Sequence, residues 1–238
     1  MMDLKCIIRC VKGIFITGTD TGVGKTLLTG LLGRYLLERG LNVVTQKWVD
    51  AGGLDIKTHF RLMKKKPSLP IDYLCPYTFK FPSSPHLSSK LENKIVKPEI
   101  IKDKFLFLKE KYDIVLIEGT GGLLTPISRK VLLIDIAKEL SLPVLLVSRN
   151  KLGTINHSLL TIEALKNRNM EILGIVFNNP KREKGEILKD NPKIIKGLTK
   201  IKVFGRLPWM NDKEALYRAF IPIGKRIRGC VFSLYYRL

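Results

Sequence analysis

Between residues 18 and 26 the chain reads Gly18-Thr19-Asp20-Thr21-Gly22-Val23-Gly24-Lys25-Thr26, residue types and spacing suited to holding phosphate. Glycines let successive backbone N–H groups turn inward, and a helix that starts there points its positive end at the same spot. In such loops the lysine after the last glycine reaches the β- and γ-phosphates, and the next hydroxyl ligates Mg²⁺. Lys25 and Thr26 stand at those positions. The loop departs from the usual spacing, because Thr19 occupies the place of the first glycine and Gly18 comes one residue earlier. It lies between the apolar run Ile14-Phe15-Ile16 and a helical pattern beginning near Leu27, the strand–loop–helix setting that phosphate binding requires.

Other candidates for chemistry close later apolar runs. Lys47 follows Val43–Gln46, where a cation opposite the phosphate loop would stabilise charge growing in phosphoryl transfer. A solvated surface lysine is the plainer alternative. Asp55 is either a metal ligand or the N-cap of a helix starting at Ile56. Glu118 ends the run Ile114–Ile117 and opens Glu118-Gly119-Thr120-Gly121-Gly122, a carboxylate beside a glycine turn that suits Mg²⁺ opposite Thr26. In Leu152-Gly153-Thr154-Ile155-Asn156-His157 the N–H groups opening a helix suit a carboxylate. Asn178-Asn179-Pro180 offers an amide for an adenine edge, and Gly205-Arg206-Leu207-Pro208-Trp209-Met210 forms a late turn.

The elements needed to position these residues are legible as an alternation. Strands are expected at Gly13–Thr17, Val43–Gln46, Ile114–Ile117, Val144–Val147 and Ile172–Phe177, each a continuous apolar run of the kind buried on both faces of a parallel sheet. Helical patterns occupy about Thr26–Arg39, Lys97–Lys111, Leu132–Leu140 and Asn156–Asn169. The result is an α/β fold with a doubly wound, mostly parallel sheet flanked by helices, like a P-loop NTPase, with its ligand beyond the carboxyl ends of the strands. Lys66–Lys90, rich in Pro and Ser, reads as a long irregular loop. Phe220–Leu238 carries Lys225, Arg226, Arg228 and Arg237 with no acid, and reads as a basic terminal segment without a role.

Composition narrows the function classes. The 238 residues are 45% hydrophobic, enough for a globular core, and no run approaches the ~18 apolar residues of a membrane helix. The opening (Lys5, Ile7, Ile8, Arg9) is expected to lead into the first strand, since no small-residue cleavage site precedes the phosphate loop. A cytoplasmic protein is expected. Cys6, Cys10, Cys75 and Cys230 have neither metal nor redox spacing and are expected to be reduced thiols. The net charge of +21 permits a polyanionic partner, yet the cations are spread along the chain. The densest cluster, Lys64-Lys65-Lys66, falls before Pro67, where a helix should end and cations favour its dipole. Sequence-specific nucleic-acid binding is not expected.

Taken together, these loops resemble the dethiobiotin synthetase family. The matching residues run from Thr17 to Thr26, then Lys47, Pro76-Tyr77-Thr78-Phe79, Ser84-Pro85-His86, Glu118–Gly122, Lys151–His157, Asn178-Asn179 and Pro208-Trp209, covering about residues 11 to 210. The longer phosphate loop is itself a feature of that family. The resemblance implies one ATP-binding synthetase domain over residues 1–238. Its reaction would take 7,8-diaminopelargonate, CO₂ and ATP to dethiobiotin, ADP and phosphate. By the same resemblance Lys25 and Lys47 are catalytic and Thr26, Asp55 and Glu118 hold Mg²⁺. Nucleotide contacts fall to Gly22, Val23, Gly24, Lys25, Thr26 and Leu27, to Glu118, Gly119, Thr120 and Gly121, and to Asn178, Asn179, Pro208, Trp209 and Met210. Thr21 and Ala51 would meet the diamine. Gly153, Thr154, Ile155 and Asn156 would receive the substrate carboxylate from a second subunit, which implies a homodimer with sites at its interface. Both lysines are expected to be replaceable by alanine without loss of the fold.

Two departures stand out. The family has Lys-Pro-Val and then a hydroxyl residue before a glycine, where this chain has Lys47-Trp48-Val49-Asp50-Ala51-Gly52, so Ala51 lacks a hydrogen bond to the carbamate. The basic end has no counterpart. Two rival classes remain on sequence grounds. Amidating synthetases of corrinoid synthesis carry a glutaminase domain for which this chain has no room. Partitioning or positioning ATPases, which bind DNA or membranes, have a lysine near the position held by Asp20.

Overall fold

The computed structural model describes residues 12–53 and 55–235. Cys6, Cys10, the opening Lys5–Arg9 and Arg237 lie outside them. The central sheet has six strands: β1 (Gly13–Gly18), β2 (Val43–Lys47), β5 (Ile114–Glu118), β6 (Val144–Arg149), β7 (Ile172–Asn178) and β8 (Val203–Leu207). Their order is β2-β5-β1-β6-β7-β8, and every pairing is parallel. The five expected strands are all present, and β8 is added at one edge. All six residues of β1 and all five of β2 and of β5 are buried, because helices cover both faces. β1 lies so close to its cover that a Cβ on Gly13 would come within 2.6 Å of Leu142 and 2.8 Å of the Phe105 ring.

The helices are α1 (Lys25–Leu37), α2 (Asp55–Met63), α3 (Ile71–Leu74), α4 (Pro85–Leu91), α5 (Pro98–Lys111), α6 (Leu133–Glu139), α7 (Thr154–Lys166), α8 (Gly185–Thr199) and α9 (Lys213–Tyr235). One buried cluster joins α1, α9 and one sheet face through Leu28, Leu31, Tyr35, Phe204, Phe220 and Ile223. A second joins α5, α6 and the opposite face through Phe15, Trp48, Phe105, Val115 and Ile134. α2 stops just before the lysine cluster, with Lys64 in the left-handed region at φ 53°.

One expectation is corrected. Lys66–Lys90 is not an irregular loop: it holds α3, the strand β4 (Tyr77–Phe79) and most of α4. β4 pairs in parallel with β3 (Val49–Ala51), and Leu74, Tyr77, Phe79, Pro85 and Ser88 are buried, so short elements pack there despite the Pro and Ser content. The basic end is helical as far as Tyr235. Within α9, Phe220, Ile223, Ile227 and Val231 are buried, and full burial of such a side chain is worth roughly 1.5–3 kcal/mol. Lys225 and Arg226 are exposed on the other face of this helix. Among the described residues no helix is long and apolar enough to cross a membrane.

Candidate active site

The phosphate loop connects β1 to α1. Gly22 and Gly24 have φ of 69° and 105°, a left-handed conformation that L side chains rarely adopt. Gly24 is also packed from outside: a Cβ there would sit 2.3 Å from the Asn178 amide nitrogen. That amide donates to the Val23 carbonyl at 3.0 Å, so the end of β7 clamps the loop where α1 begins. Lys25 Nζ bridges the loop mouth, donating to the carbonyls of Asp20 at 3.0 Å and Gly121 at 2.6 Å. Burial, with the nearby Lys47 charge, pushes the Lys25 ammonium down to about 8.

Lys47 and Glu118 are the last residues of β2 and β5 and are partners in the strand register. Parallel neighbours in register project to the same face, which brings their side chains together. Lys47 Nζ lies 2.9 Å from Glu118 Oε1, 2.8 Å from Asp55 Oδ2 and 3.0 Å from the Gly119 carbonyl. The Thr26 hydroxyl donates to the same Oε1 at 2.9 Å. Lys47 is 2% exposed and Glu118 1%, so Lys47 is no solvated surface lysine. Burial pushes the Lys47 ammonium down, but Glu118 and Asp55 outweigh it and leave the group above the ordinary lysine range. Burial likewise raises the Glu118 carboxyl, yet Lys47 and then His59 hold it at about 2.

Asp55 stands both at a helix start and beside Lys47. Asp55 begins α2; Asp50 Oδ2 accepts its N–H at 3.1 Å, and its carboxylate meets Lys47. Burial and the neighbouring Asp55 charge push the Asp50 carboxyl up. Thr26, Asp55 and Glu118 together make a hydroxyl-and-carboxylate set of hard oxygens. That donor chemistry fits Mg²⁺, which favours one or two carboxylates completed by phosphate and water.

These residues open on a cavity of about 1330 Å³. Its walls include Thr21, Gly22, Gly24, Lys25, Thr26, Leu27, Lys47, Asp55, Glu118, Thr120 and Gly121. Toward β7 and β8 it is lined by Asn178, Asn179, Pro208, Trp209 and Met210, and toward β3 by Ala51, Pro82, Ser83 and Thr125. Other expected site residues lie elsewhere. Val23 is buried in the core behind the loop, and Gly119 meets the site through its carbonyl. Gly153, Thr154, Ile155 and Asn156 do not line this cavity. Gly153 ends in the left-handed region at φ 88°, and Thr154 is buried, with its hydroxyl 2.8 Å from Ser148. Trp48, the departure beside Lys47, points away from the cavity. It is fully buried, stacked on Phe15 at 5.2 Å, and its indole N–H donates to Gln46 at 2.9 Å.

Sequence reasoning missed His59. Its Nε2 lies 2.5 Å from Glu118 Oε2, deep beneath the cavity floor. The only signal is its spacing, four residues after Asp55 on one face of a helix that the sequence pattern did not reveal.

Residues 12–215 match the family model described as an AAA domain. The ATP-dependent dethiobiotin synthetase BioD of Thermodesulfovibrio yellowstonii is 36% identical over 215 residues, 84% of this chain and 90% of the relative. That of Clostridium perfringens is 38% identical over 216 residues, 85% and 93% of the two chains. The chain belongs to the ATP-dependent dethiobiotin synthetase family. Members of that family are ligases, and the lysine, hydroxyl and carboxylates described above sit within the shared region. The fold extends further than the family. The MinC:MinD cell division protein complex of Aquifex aeolicus matches with a TM-score of 0.62 at 17% identity, over 92% of this chain and 96% of that one. A pNOB8 ParA bound to nonspecific DNA gives 0.60 at 16%, over 93% and 98%. They share with this synthetase-family chain the P-loop NTPase-like architecture. In this chain's phosphate loop, Asp20 accepts the N–H of Thr21 at 2.7 Å and so braces its own loop.

Proposed function

We propose that the chain carries out ATP- and Mg²⁺-dependent carboxylation and ring closure of 7,8-diaminopelargonate with CO₂, giving dethiobiotin, ADP and phosphate. The observation that carries this reading is the convergence of Lys25, Thr26, Lys47, Asp55 and Glu118 on one floor of a cavity of about 1330 Å³. One amine adds to CO₂ and loses a proton, forming a carbamate. The carbamate oxygen then takes the γ-phosphoryl group from ATP, releasing ADP. Attack by the second amine on the carbamoyl carbon closes the ring and expels phosphate, with loss of its proton.

Each protein group has a task in this sequence. Thr26, Asp55 and Glu118 would hold Mg²⁺, which neutralises phosphate charge when bound. Lys25, fixed by two carbonyls at the loop mouth, faces the phosphoryl oxygens in flight. Lys47 is held by the carboxylates beside the same point. Asn179, Pro208, Trp209 and Met210 wall the end suited to the base, and Thr21 and Ala51 the end suited to the diamine. In this reading the whole chain acts as one ATP-binding domain in the cytoplasm.

A homodimer completes the site in this reading. Gly153–Asn156 stand outside the cavity of their own chain, while Leu152 and Leu160 beside them are 78% and 56% exposed. Apolar side chains of that size around helix N–H groups suit a second copy whose substrate carboxylate docks there. The test is purified protein with ATP, Mg²⁺, bicarbonate and 7,8-diaminopelargonate, following phosphate release and dethiobiotin by mass. Diamine-dependent phosphate release with matching ring product supports the reading. ATP turnover triggered by another amine, with no ring product, overturns it.

A further inference from the structure

Glu118 has each carboxylate oxygen assigned to different partners. Oε1 receives Thr26 and Lys47 at 2.9 Å each, and Oε2 receives His59 Nε2 at 2.5 Å. The terminal torsion of a glutamate is broad and roughly two-fold, so nothing intrinsic to the side chain keeps one oxygen toward the phosphate loop. His59 is fully buried on α2. Among the described residues its Nδ1 has no hydrogen-bond partner, although that atom is also buried. A buried ring nitrogen without a partner costs stability, so packing alone would be better served here by leucine. The one hydrogen bond that the imidazole makes is aimed at Glu118.

We propose that His59 is a positioning residue for the metal-binding carboxylate: its grip on Oε2 fixes Glu118 with Oε1 toward Thr26, so that Mg²⁺ meets a preformed ligand. This rests on the assignment of Glu118 to Mg²⁺ in the proposed function. Partners that orient a ligating carboxylate typically change metal affinity or activity by 10–100-fold when removed. Asp55 and His59 stand one turn apart on the same helix, so α2 brings both a ligand and the group that orients the second ligand.

The test is the Mg²⁺ affinity of the full chain saturated with ADP, measured calorimetrically, which requires neither diamine nor turnover. His59→Leu should weaken Mg²⁺ by about 10–100-fold and raise the KM for Mg²⁺ while leaving the KM for the diamine unchanged. His59→Gln, whose amide nitrogen reaches about as far as Nε2, should recover most of the affinity. In a Glu118→Gln background, His59→Leu should have little further effect, because the two groups act as one unit. Thermal unfolding of all variants separates a folding defect from an orienting one. Unchanged Mg²⁺ affinity in His59→Leu, or a glutamine variant as weak as the leucine one, would overturn the inference while leaving the ligase reading intact. Failure of ring synthesis with normal Mg²⁺–ADP binding would do the reverse, and no Mg²⁺–ADP binding by the parent chain would overturn both.

Discussion

Around the ends of β2 and β5, Lys47 meets Asp55 and Glu118 within 3 Å, and His59 holds Glu118 from below; Lys47, His59 and Glu118 are buried, with Asp55 at the edge of the group. Around Gly153–Asn156, by contrast, backbone N–H groups open α7 beside an exposed Leu152, and no side chain would crowd a Cβ on Gly153. The first region is finished within one chain. The second is open, and in the proposed dimer a second copy covers it. Charges that stabilise a transition state must be held rigidly and dry to act strongly. A carboxylate at the far end of an acyl chain needs only donors at the right distance, which a neighbouring copy can bring.

The largest expected effect separates the two lysines. Lys47→Ala should lower turnover by ~10²–10³-fold and also destabilise the protein by about 3–5 kcal/mol, because it strips a buried carboxylate of its charge partner. Lys25→Ala should cost a similar factor in turnover with little change in stability, since Lys25 donates only to carbonyls and its charge is opposed by burial and by Lys47. Steady-state rates and chemical denaturation of both variants check this. Equal loss of stability in both would break the contrast between an interlocked cation and a merely placed one.

At the other region, Leu160→Asp should leave unfolding of the monomer unchanged but shift a dimer to monomer, because burying an unpaired carboxylate in an interface costs several kcal/mol. Sedimentation at micromolar concentration reads the assembly. The KM for the diamine should rise and ATP affinity should not. A variant that stays dimeric would show that this face is not the one covered.

Acid should act on the charged region first. Folding holds the Glu118 carboxyl at about 2, below its ordinary 4.5. A depressed carboxylate contributes stability that is present above the unfolded value and is lost as pH falls through the folded one. Stability should therefore decline between about pH 4.5 and 2 in the parent chain, and Glu118→Gln should flatten that limb while lowering stability at neutral pH. A pH series of denaturation midpoints measures it. The same variant should weaken Mg²⁺ and ATP together, since one hard oxygen ligand is lost.

How much of this was visible beforehand follows from range. The phosphate loop and strand-end residues were legible because a parallel sheet places every strand terminus on one edge, so Lys25, Lys47 and Glu118 had to be neighbours once β1, β2 and β5 were recognised. His59 was not legible. Its partner is 59 residues away, and it lies on a short helix whose pattern is interrupted by polar residues. α8 and α9 contain Pro192 and Pro222, which in sequence suggest breaks, while the buried Ile195, Phe220 and Ile223 hold these helices in place through tertiary packing. β3 and β4 have three residues each and exist through their mutual pairing, which no local pattern encodes.

The smallest expected effect is at Ala51. Ala51 is half-buried at the end of β3 and lines the cavity. Ala51→Ser should lower the KM for the diamine about two- to tenfold, the scale of one added hydrogen bond of roughly 0.5–1.5 kcal/mol. An unchanged or higher KM would place the carbamate away from β3.

The central claim is that the interlocked charges transfer phosphate to a carbamate made from CO₂. Incubation with ¹³C-labelled bicarbonate, ATP, Mg²⁺ and 7,8-diaminopelargonate tests it most directly. The account predicts dethiobiotin carrying the label at its ring carbonyl, with one ADP and one phosphate released for each ring formed. Phosphate release that continues without the diamine, or ring product without label, would contradict it.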